Sequence, residues 1–489
     1  MSRSEPPADR RTGDDDRDPD TLEGRRDEIE SDEPVDAGAA SLPGPRGLPL
    51  IGSTLAFGRD PVAFLESLGE YGDVVGYEAY GREFVALCDP DLVETVLVSR
   101  SDAFWRGEFE HEFGEAIDLE GVLFAEGDRW KRQRLLLQSA FTPDRIGSYA
   151  DDMIEETAHT VCRWDDGQVI ALEETLSTLT LRVLARTLFD LELTDERGTV
   201  VRQWVGAMNE YTDREMFGVR ALLPSWVPST TEREFDRAAA DVGALVDELV
   251  AERRGASTEG DDLLTLLATA EYPDGSRPSP EEIGHQLETF LLAGHETTAT
   301  ALTYACWLLA GHDDVWDRLE REVDAVCGDR QPTMADLPDL AVTEAVGREA
   351  MRLYPPLPFL NREPLEPVAV GGSRLTPGTV VQLPMIAIHR DERWWDEPDE
   401  FRPERWLEGG SEVAPDETLA DGDRPEYAYF PFGGGPRHCI GMRFAMTELQ
   451  LTLATLARRV DFERITDSID TGVGVTLEPG TVEMRVRRR

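Results

Sequence analysis

The stretch Phe430-Pro431-Phe432-Gly433-Gly434-Gly435-Pro436-Arg437-His438-Cys439-Ile440-Gly441 decides the reading of this 489-residue chain. Four glycines surround one cysteine, and a helical pattern, Met442 to Ala457, begins directly after it. Glycine lets backbone approach a flat ligand and leaves amide N–H groups free to point at a sulfur atom. A thiolate at a helix N-terminus, facing such N–H groups beside Arg437, is stabilised as an anion and makes a soft metal ligand. Three other readings compete on this loop alone. A phosphate cradle needs GK[ST] or GxGxxG after a strand, and neither is present. A thiol nucleophile needs a histidine base, and although His438 is adjacent, sequence neighbours rarely share the required geometry. A structural turn with an incidental cysteine stays open.

Upstream, Ser279 as N-cap, Pro280 in the first turn and Glu282 completing a capping box predict a helix start. The pattern runs to Gly311, about thirty residues or roughly 45 Å at the helical rise, so it crosses most of a domain. Inside it sits Ala293-Gly294-His295-Glu296-Thr297-Thr298, a polar interruption whose Gly and β-branched Thr are poor choices for a plain buried helix. Further amphipathic stretches cover Ala150 to Trp164, Leu172 to Phe189, Thr231 to Arg254 and Ala341 to Tyr354. Strand-like segments are Val74 to Ala79, Glu83 to Cys88, Val368 to Val370 and Val380 to Leu383. The expectation is one mainly α domain with small β-sheets over 41–489, preceded by an acidic tail, 1–40, too poor in apolar residues to fold.

Acidic residues number 98 against 49 basic ones, a net charge of −49. The tail holds 14 acids and 6 Arg, so a balance of −41 falls on the rest of the chain. Such a field repels nucleic acid and anionic lipid, while 40% hydrophobic residues suffice for a sizeable core. Lys131 is the only lysine. High salt screens repulsion among carboxylates, so the balance suits a salt-rich cytoplasm, as in a halophile. GC-rich coding would favour Arg over Lys but leaves the acid excess unexplained. Cys88, Cys162, Cys306, Cys327 and Cys439 form no CxxC or CxxCH pattern, which argues for a reducing compartment and against zinc or a covalently attached haem. The N-terminus has no apolar signal region, and the most apolar stretch, Thr289 to Gly311, carries His295 and Glu296 near its middle, so the protein is expected to be cytoplasmic without a transmembrane anchor.

Phe432-x-x-Gly435-x-Arg437-x-Cys439-x-Gly441 resembles the haem-binding loop of the cytochrome P-450 superfamily. Glu349-Ala350-Met351-Arg352 is similar to that family's ExxR, Phe401 to Trp406 to its PERF-type segment, Ala293 to Thr298 to its [AG]Gx[DE]TT, and Trp130-Lys131-Arg132-Gln133-Arg134 to WxxxR. The resemblance covers about Leu42 to Glu478. The tail and the acidic stretch Glu408 to Glu426, with seven acids and one Arg, fall outside it. It implies a single-domain fold with the long helix over haem b and the cysteine loop beneath it. It makes Cys439 the thiolate ligand of the haem iron, whose electron donation favours O–O cleavage, and makes Trp130, Arg134, Arg362, His389 and Arg437 partners of the haem propionates. Arg405 joins Glu349 and Arg352 in a structural triad, Trp394, Trp395 and Trp406 are core aromatics, and His295 is a packing histidine. Glu296 and Thr297 are the implied catalytic pair, a carboxylate and a hydroxyl that relay protons to dioxygen, with Gly294 letting the helix open.

The implied activity is monooxygenation: one oxygen atom of O2 enters a hydrophobic substrate of the fatty acid, terpenoid or carotenoid class. The apolar segments around Phe104 to Phe124 and Glu192 to Arg254, the latter with Tyr211, Phe217 and Leu222 to Pro228, occupy the family's access lid. No flavin or nicotinamide motif is present, so electrons come from a separate donor of the ferredoxin type, expected to dock on a basic island formed by Lys131, Arg132, Arg134, Arg437 and Arg443. The alternatives are a peroxide-using haem-thiolate enzyme and a non-catalytic haem sensor. Neither needs the Glu296–Thr297 pair.

Overall fold

The computed structural model describes residues 41–116, 119–193, 196–211, 214, 229–255, 262–272, 275–408, 419, 422, 424–474 and 476–489. The expected tail 1–40, most of the acidic stretch 408–426 and the lid residues Phe217 and Leu222 to Pro228 lie outside them.

Helices dominate, and those that position the site are α1 (Gly127–Leu137), α2 (Pro143–Cys162), α3 (Leu172–Phe189), α4 (Glu196–Tyr211), α5 (Thr230–Gly255), α6 (Pro280–Leu309), α7 (Asp313–Cys327), α8 (Ala341–Leu353) and α9 (Met442–Ala457). Helix α6 spans 30 residues and is buried along most of its length. Its start is only half a capping box: the Ser279 side chain accepts from the Glu282 N–H at 3.0 Å. The Glu282 carboxylate turns outward, where it accepts from Tyr272 at 2.7 Å and pairs with Arg132 at 3.2 Å. Around α6 pack α3, α5, α8 and α9. Phe141, just after α1, ties the layers together, its ring 5.4 Å from Phe290 on α6 and 6.4 Å from Phe444 on α9. Burial of such apolar faces, at about 25 cal/mol per Å², is the main favourable term in folding.

A mixed sheet forms a separate wall from β1 (Val74–Ala79), β2 (Arg82–Leu87), β3 (Phe104–Trp105), β4 (Leu360–Pro364) and β5 (Val380–Leu383), ordered β1-β2-β5-β4-β3. β1 and β2 are a hairpin in register Val74↔Leu87, β2 runs parallel to β5 with Phe84 opposite Val380, and β4 is antiparallel to both β5 and β3. Val85, Leu87, Val381 and Leu383 alternate inward to a second core cluster, as period-two strands require. The expected second strand begins one residue earlier than its apolar pattern, because Arg82 pairs with Ala79 at the turn.

Beneath the sheet, one buried carboxylate organises the segment leading to the cysteine loop. Glu349 on α8 accepts from Arg352 Nε at 2.9 Å and Nη2 at 2.8 Å, from Arg405 Nε at 3.0 Å, from the Arg402 N–H at 3.0 Å and from Trp406 Nε1 at 2.9 Å. Arg352 spends its remaining donors on the carbonyls of His389, Pro398 and Glu400. The pairing of Glu349 with Arg352 and Arg405 is the expected one. Trp406 departs from its expected role, since its indole N–H makes it a member of this hub rather than a plain core aromatic.

Candidate functional site

The cysteine loop holds its shape through glycines that no other residue could replace. Gly435 has φ +62°, and a Cβ there would lie 1.8 Å from the Leu97 carbonyl oxygen; at Gly434 it would lie 2.4 Å from the Tyr427 ring. The loop then closes on itself, with the Cys439 N–H donating to the Phe432 carbonyl at 2.9 Å. Cys439 is accessible, unlike Cys88, Cys306 and Cys327. Enclosure by protein raises its thiol pKa, and the N–H groups of Gly441 and Met442 together with the Arg134 guanidinium oppose that rise. Both N–H groups belong to the start of α9, so the fold supplies the anion-favouring field that the sequence suggested. Burial pushes Cys88, despite the Arg393 charge, and Cys306 up to about 12.

Two guanidiniums, Arg134 and Arg362, are buried without an ion pair to a carboxylate among the described residues, and the first acts on the Cys439 sulfur. Arg134 is 9% exposed and its Nε has no hydrogen-bond partner, while its Nη2 lies 3.4 Å from His438 Nε2. Burial lowers its pKa and the Cys439 sulfur acts against that. Arg362, on β4, donates to the Asn361 carbonyl at 2.6 Å, and burial, with the Arg106 charge, pushes it down to about 10 against the Glu110 and Glu126 charges. Buried cations require compensation, so these two call for an anionic ligand. Arg437 lies 4.6 Å above the Trp130 ring, bonds the Ala125 carbonyl at 2.8 Å and pairs with Glu126.

His389 does not belong with them. It is fully buried, its Nε2 accepts the Phe430 N–H at 2.9 Å, and its ring stacks on Tyr429 at 5.2 Å. Burial, then the Arg352 charge, pushes its pKa down to about 3, so it stays neutral. The expected contact to a propionate is therefore withdrawn: His389 anchors the start of the cysteine loop from behind. Two further anchors had no sequence signal. Glu363, 8% exposed, accepts from the Glu108 and Gly378 N–H groups at 3.0 and 2.9 Å, and Tyr429 donates to the Arg348 carbonyl at 3.1 Å.

On α6, the Thr297 hydroxyl donates to the Ala293 carbonyl at 2.8 Å and the Thr298 hydroxyl to that of Gly294 at 3.0 Å. The helix is continuous here rather than opened. Gly294 has a packing reason instead, since its Cβ would come 3.0 Å from Leu184 on α3. Thr180 of α3 donates to the His295 carbonyl at 2.9 Å. His295 itself is fully buried, its Nδ1 bonded to the Leu291 carbonyl, and burial pushes its pKa down to about 4. The Glu296 carboxylate reaches across to α4 and accepts from the Asn209 side-chain amide.

The expected basic island is broken up. Arg134 and Arg437 are inside the molecule, Arg132 is engaged by Glu282 and lies 4.2 Å over the Tyr272 ring, and Lys131 is 3.8 Å from Asp128. Arg443 is exposed and borders an open groove of about 490 Å³ on the outer face of the cysteine loop, with Phe432, Met442 and Met446. Among the described residues, no helix is long and apolar enough to cross a membrane.

A tightly turned glycine loop, an accessible cysteine at a helix N-terminus and buried cations without ion pairs among the described residues suit a flat, anionic ligand with a metal at its centre. Comparison with known proteins agrees. The family model described as cytochrome P-450 matches residues 42–484. Cyclooctatin synthase of Streptomyces melanosporofaciens is 36% identical over 85% of this chain and 88% of its own length. Cyclooctat-9-en-7-ol 5-monooxygenase of the same organism is 31% identical over 85% and 88%, and pentalenene oxygenase of Streptomyces avermitilis 31% over 91% and 97%. The crystal structure of the cytochrome P-450DA haem domain superposes with a TM-score of 0.79 at 26% identity, covering 92% of this chain and 98% of that one. The chain belongs to the cytochrome P-450 family and is a haem b monooxygenase.

Proposed function

We propose that the chain oxygenates a terpenoid, drawing electrons from a separate ferredoxin-type protein in the cytoplasm. Haem bound at Cys439 supplies the activation of dioxygen. The single observation that carries the site assignment is the buried Arg134, whose Nε is unpartnered and whose charge acts on the Cys439 sulfur, joined by the buried Arg362, which makes no ion pair with a carboxylate among the described residues. Charge-assisted bonds from these two to the propionates would satisfy both sides. Arg437, stacked on Trp130 and bonded to the Ala125 carbonyl, completes the cradle. Cys439 holds the metal, with the Gly441 and Met442 N–H groups favouring the thiolate.

The chemistry needs protons delivered in step with electrons. Glu296 and Thr297 carry that role: the hydroxyl can release the Ala293 carbonyl to donate toward dioxygen, and Glu296 in its protonated form returns a proton to it and is itself reprotonated from solvent water. A peroxide-dependent enzyme and a haem sensor have no use for this pair. The terpenoid class is supported by the relatives named for an alkene and an alkenol, pentalenene and cyclooctat-9-en-7-ol. Binding of cyclic terpenes, long-chain fatty acids and carotenoids to the ferric protein, read as a shift of the Soret band, tests the substrate. A terpene shift at the lowest concentration is expected, and a response confined to fatty acids refutes the terpenoid reading. Thr297→Ala should raise the peroxide released per electron consumed; unaltered coupling removes Thr297 from the relay. The charge of −49 further supports work in concentrated salt, for which stability should rise between dilute buffer and molar KCl.

A further inference from the structure

Segment 119–126, just before α1, is tied to the cysteine loop at one end and to α6 at the other. The Arg437 guanidinium of the loop donates to the Ala125 carbonyl at 2.8 Å and pairs with Glu126. The Val122 N–H donates to Gln286 Oε1 on α6 at 2.9 Å. There the backbone lies against the helix, since a Cβ at Gly121 would come 1.9 Å from Thr289 Oγ1 and 2.6 Å from the His285 carbonyl oxygen. With α6 over the haem and the cysteine loop beneath it, a segment bonded to both closes one flank of the space between them. Behind this contact two buried amides are left incomplete. Gln286 is 2% exposed and its Nε2 has no partner; Gln133 of α1 is 1% exposed and neither its Nε2 nor its Oε1 has one. Both border one narrow gap, walled by Leu137, Leu267 and Ile283, that leaves no room for a water molecule. Buried polar atoms without partners cost free energy that apolar side chains of the same size would not.

We infer that Gln286 is a positioning residue that sets entry to the haem: it holds Val122 when segment 119–126 is closed and turns to Gln133 when the segment opens. Rotation about its side-chain bonds carries the Gln286 amide from the Val122 N–H toward Gln133, across the gap that both residues border. Gln286 Oε1 then accepts from Gln133 Nε2, so opening exchanges one hydrogen bond for another and leaves the freed Val122 N–H to solvent. Two packings of similar free energy are what a population-shifting element requires. The unpartnered Gln133 thereby has a use: it is the acceptor state of the latch, and it lowers the cost of admitting a bulky hydrophobic substrate.

The test times the entry of 4-phenylimidazole into the ferric holoenzyme by stopped flow. Its nitrogen ligates the iron and shifts the Soret band, so turnover is not required. Gln286→Leu removes the latch and should speed entry about fivefold, the factor carried by one hydrogen bond. Gln133→Leu removes the alternative partner and should slow entry by a similar factor. Hydrogen exchange of segment 119–125, followed by mass spectrometry on the same samples, should accelerate in the first variant and slow in the second. Should Gln286→Leu fail to fold, Gln286→Met, of similar length and without the amide, takes its place. Rates that move in the same direction in the two variants, as a merely structural role would give, overturn the inference, and so does an unmoved rate in either. A wild type whose spectrum does not respond to the probe instead contradicts the haem assignment, so the two can fail separately.

Discussion

Replacing Glu349 by glutamine changes one atom and should cost more than any exposed ion pair in the molecule. Glu349 is fully buried and accepts five hydrogen bonds from four residues. Three of them fall on Oε1, from Arg352 Nη2, Arg405 Nε and the Arg402 N–H, and two on Oε2, from Arg352 Nε and Trp406 Nε1. Glutamine offers a single oxygen, so with its best orientation the amide nitrogen faces the other two donors. The fully buried Arg352 and the nearly buried Arg405 also lose their counter-charge. Breaking one member of a buried charge pair costs about 3–5 kcal/mol. Against a net stability of about 5–15 kcal/mol for a typical domain, that is a large fraction. Glu248→Gln is the control: Glu248 pairs with Arg197 at 2.5 Å, but with more than half of its side chain exposed, and such pairs contribute about 0–1 kcal/mol. Urea unfolding followed by tryptophan fluorescence, with haem retained per protein molecule read in parallel, compares the two. Glu349→Gln should shift the midpoint severalfold more than Glu248→Gln and should lose haem. Equal midpoints and full haem content would refute the account of the hub.

His295 should make the fold acid-sensitive. Its folded pKa, pushed down to about 4 by burial from an ordinary value of 6.5, means that the unfolded chain takes up the proton first. Its stabilising contribution is full above about pH 6.5 and is lost as pH falls toward about 4, on the order of 3 kcal/mol in all. His295→Gln should flatten the stability curve in that window, and an unchanged slope from pH 6.5 to 4 would contradict the burial argument. Gly435→Ala places a Cβ against the Leu97 carbonyl in a left-handed backbone conformation, so the purified variant should lack haem even where circular dichroism shows a folded chain. Arg443→Glu should slow reduction by ferredoxin several-fold without altering reduction by dithionite, and Lys131→Glu should do less, since that lysine sits beside Asp128. Equal rates for wild type and Arg443→Glu would remove the outer face of the cysteine loop as the docking site.

Local chemistry was legible where one segment carries its own constraint. The helices Leu172–Phe189 and Met442–Ala457 have the bounds their periodicity predicts, because each buries one continuous apolar stripe. The cysteine loop was legible because glycine density and a following helix are encoded side by side. Helix α4 was not, since its apolar positions Val201, Trp204, Val205 and Met208 sit among Arg, Gly and Gln, and packing rather than propensity sets it. His389 misled for a related reason: a histidine near a cofactor loop in sequence says nothing of which way its ring points, and the Phe430 N–H claimed it first. The basic island failed because an acidic protein pairs its cations wherever it can, as Glu126, Asp128 and Glu282 do here. Glu363 and Asn209 act only through partners distant in sequence, which no motif records.

The central claim is that Cys439, aided by the Gly441 and Met442 N–H groups, binds haem iron as a thiolate. The reduced carbon monoxide difference spectrum of the wild type and of Cys439→His, both reconstituted with haem, tests it most directly. Wild type should give the strongly red-shifted Soret band of a thiolate-ligated haem, and Cys439→His the shorter-wavelength band of an imidazole-ligated one. A wild-type band at the imidazole position, or one unmoved by the substitution, would contradict the account.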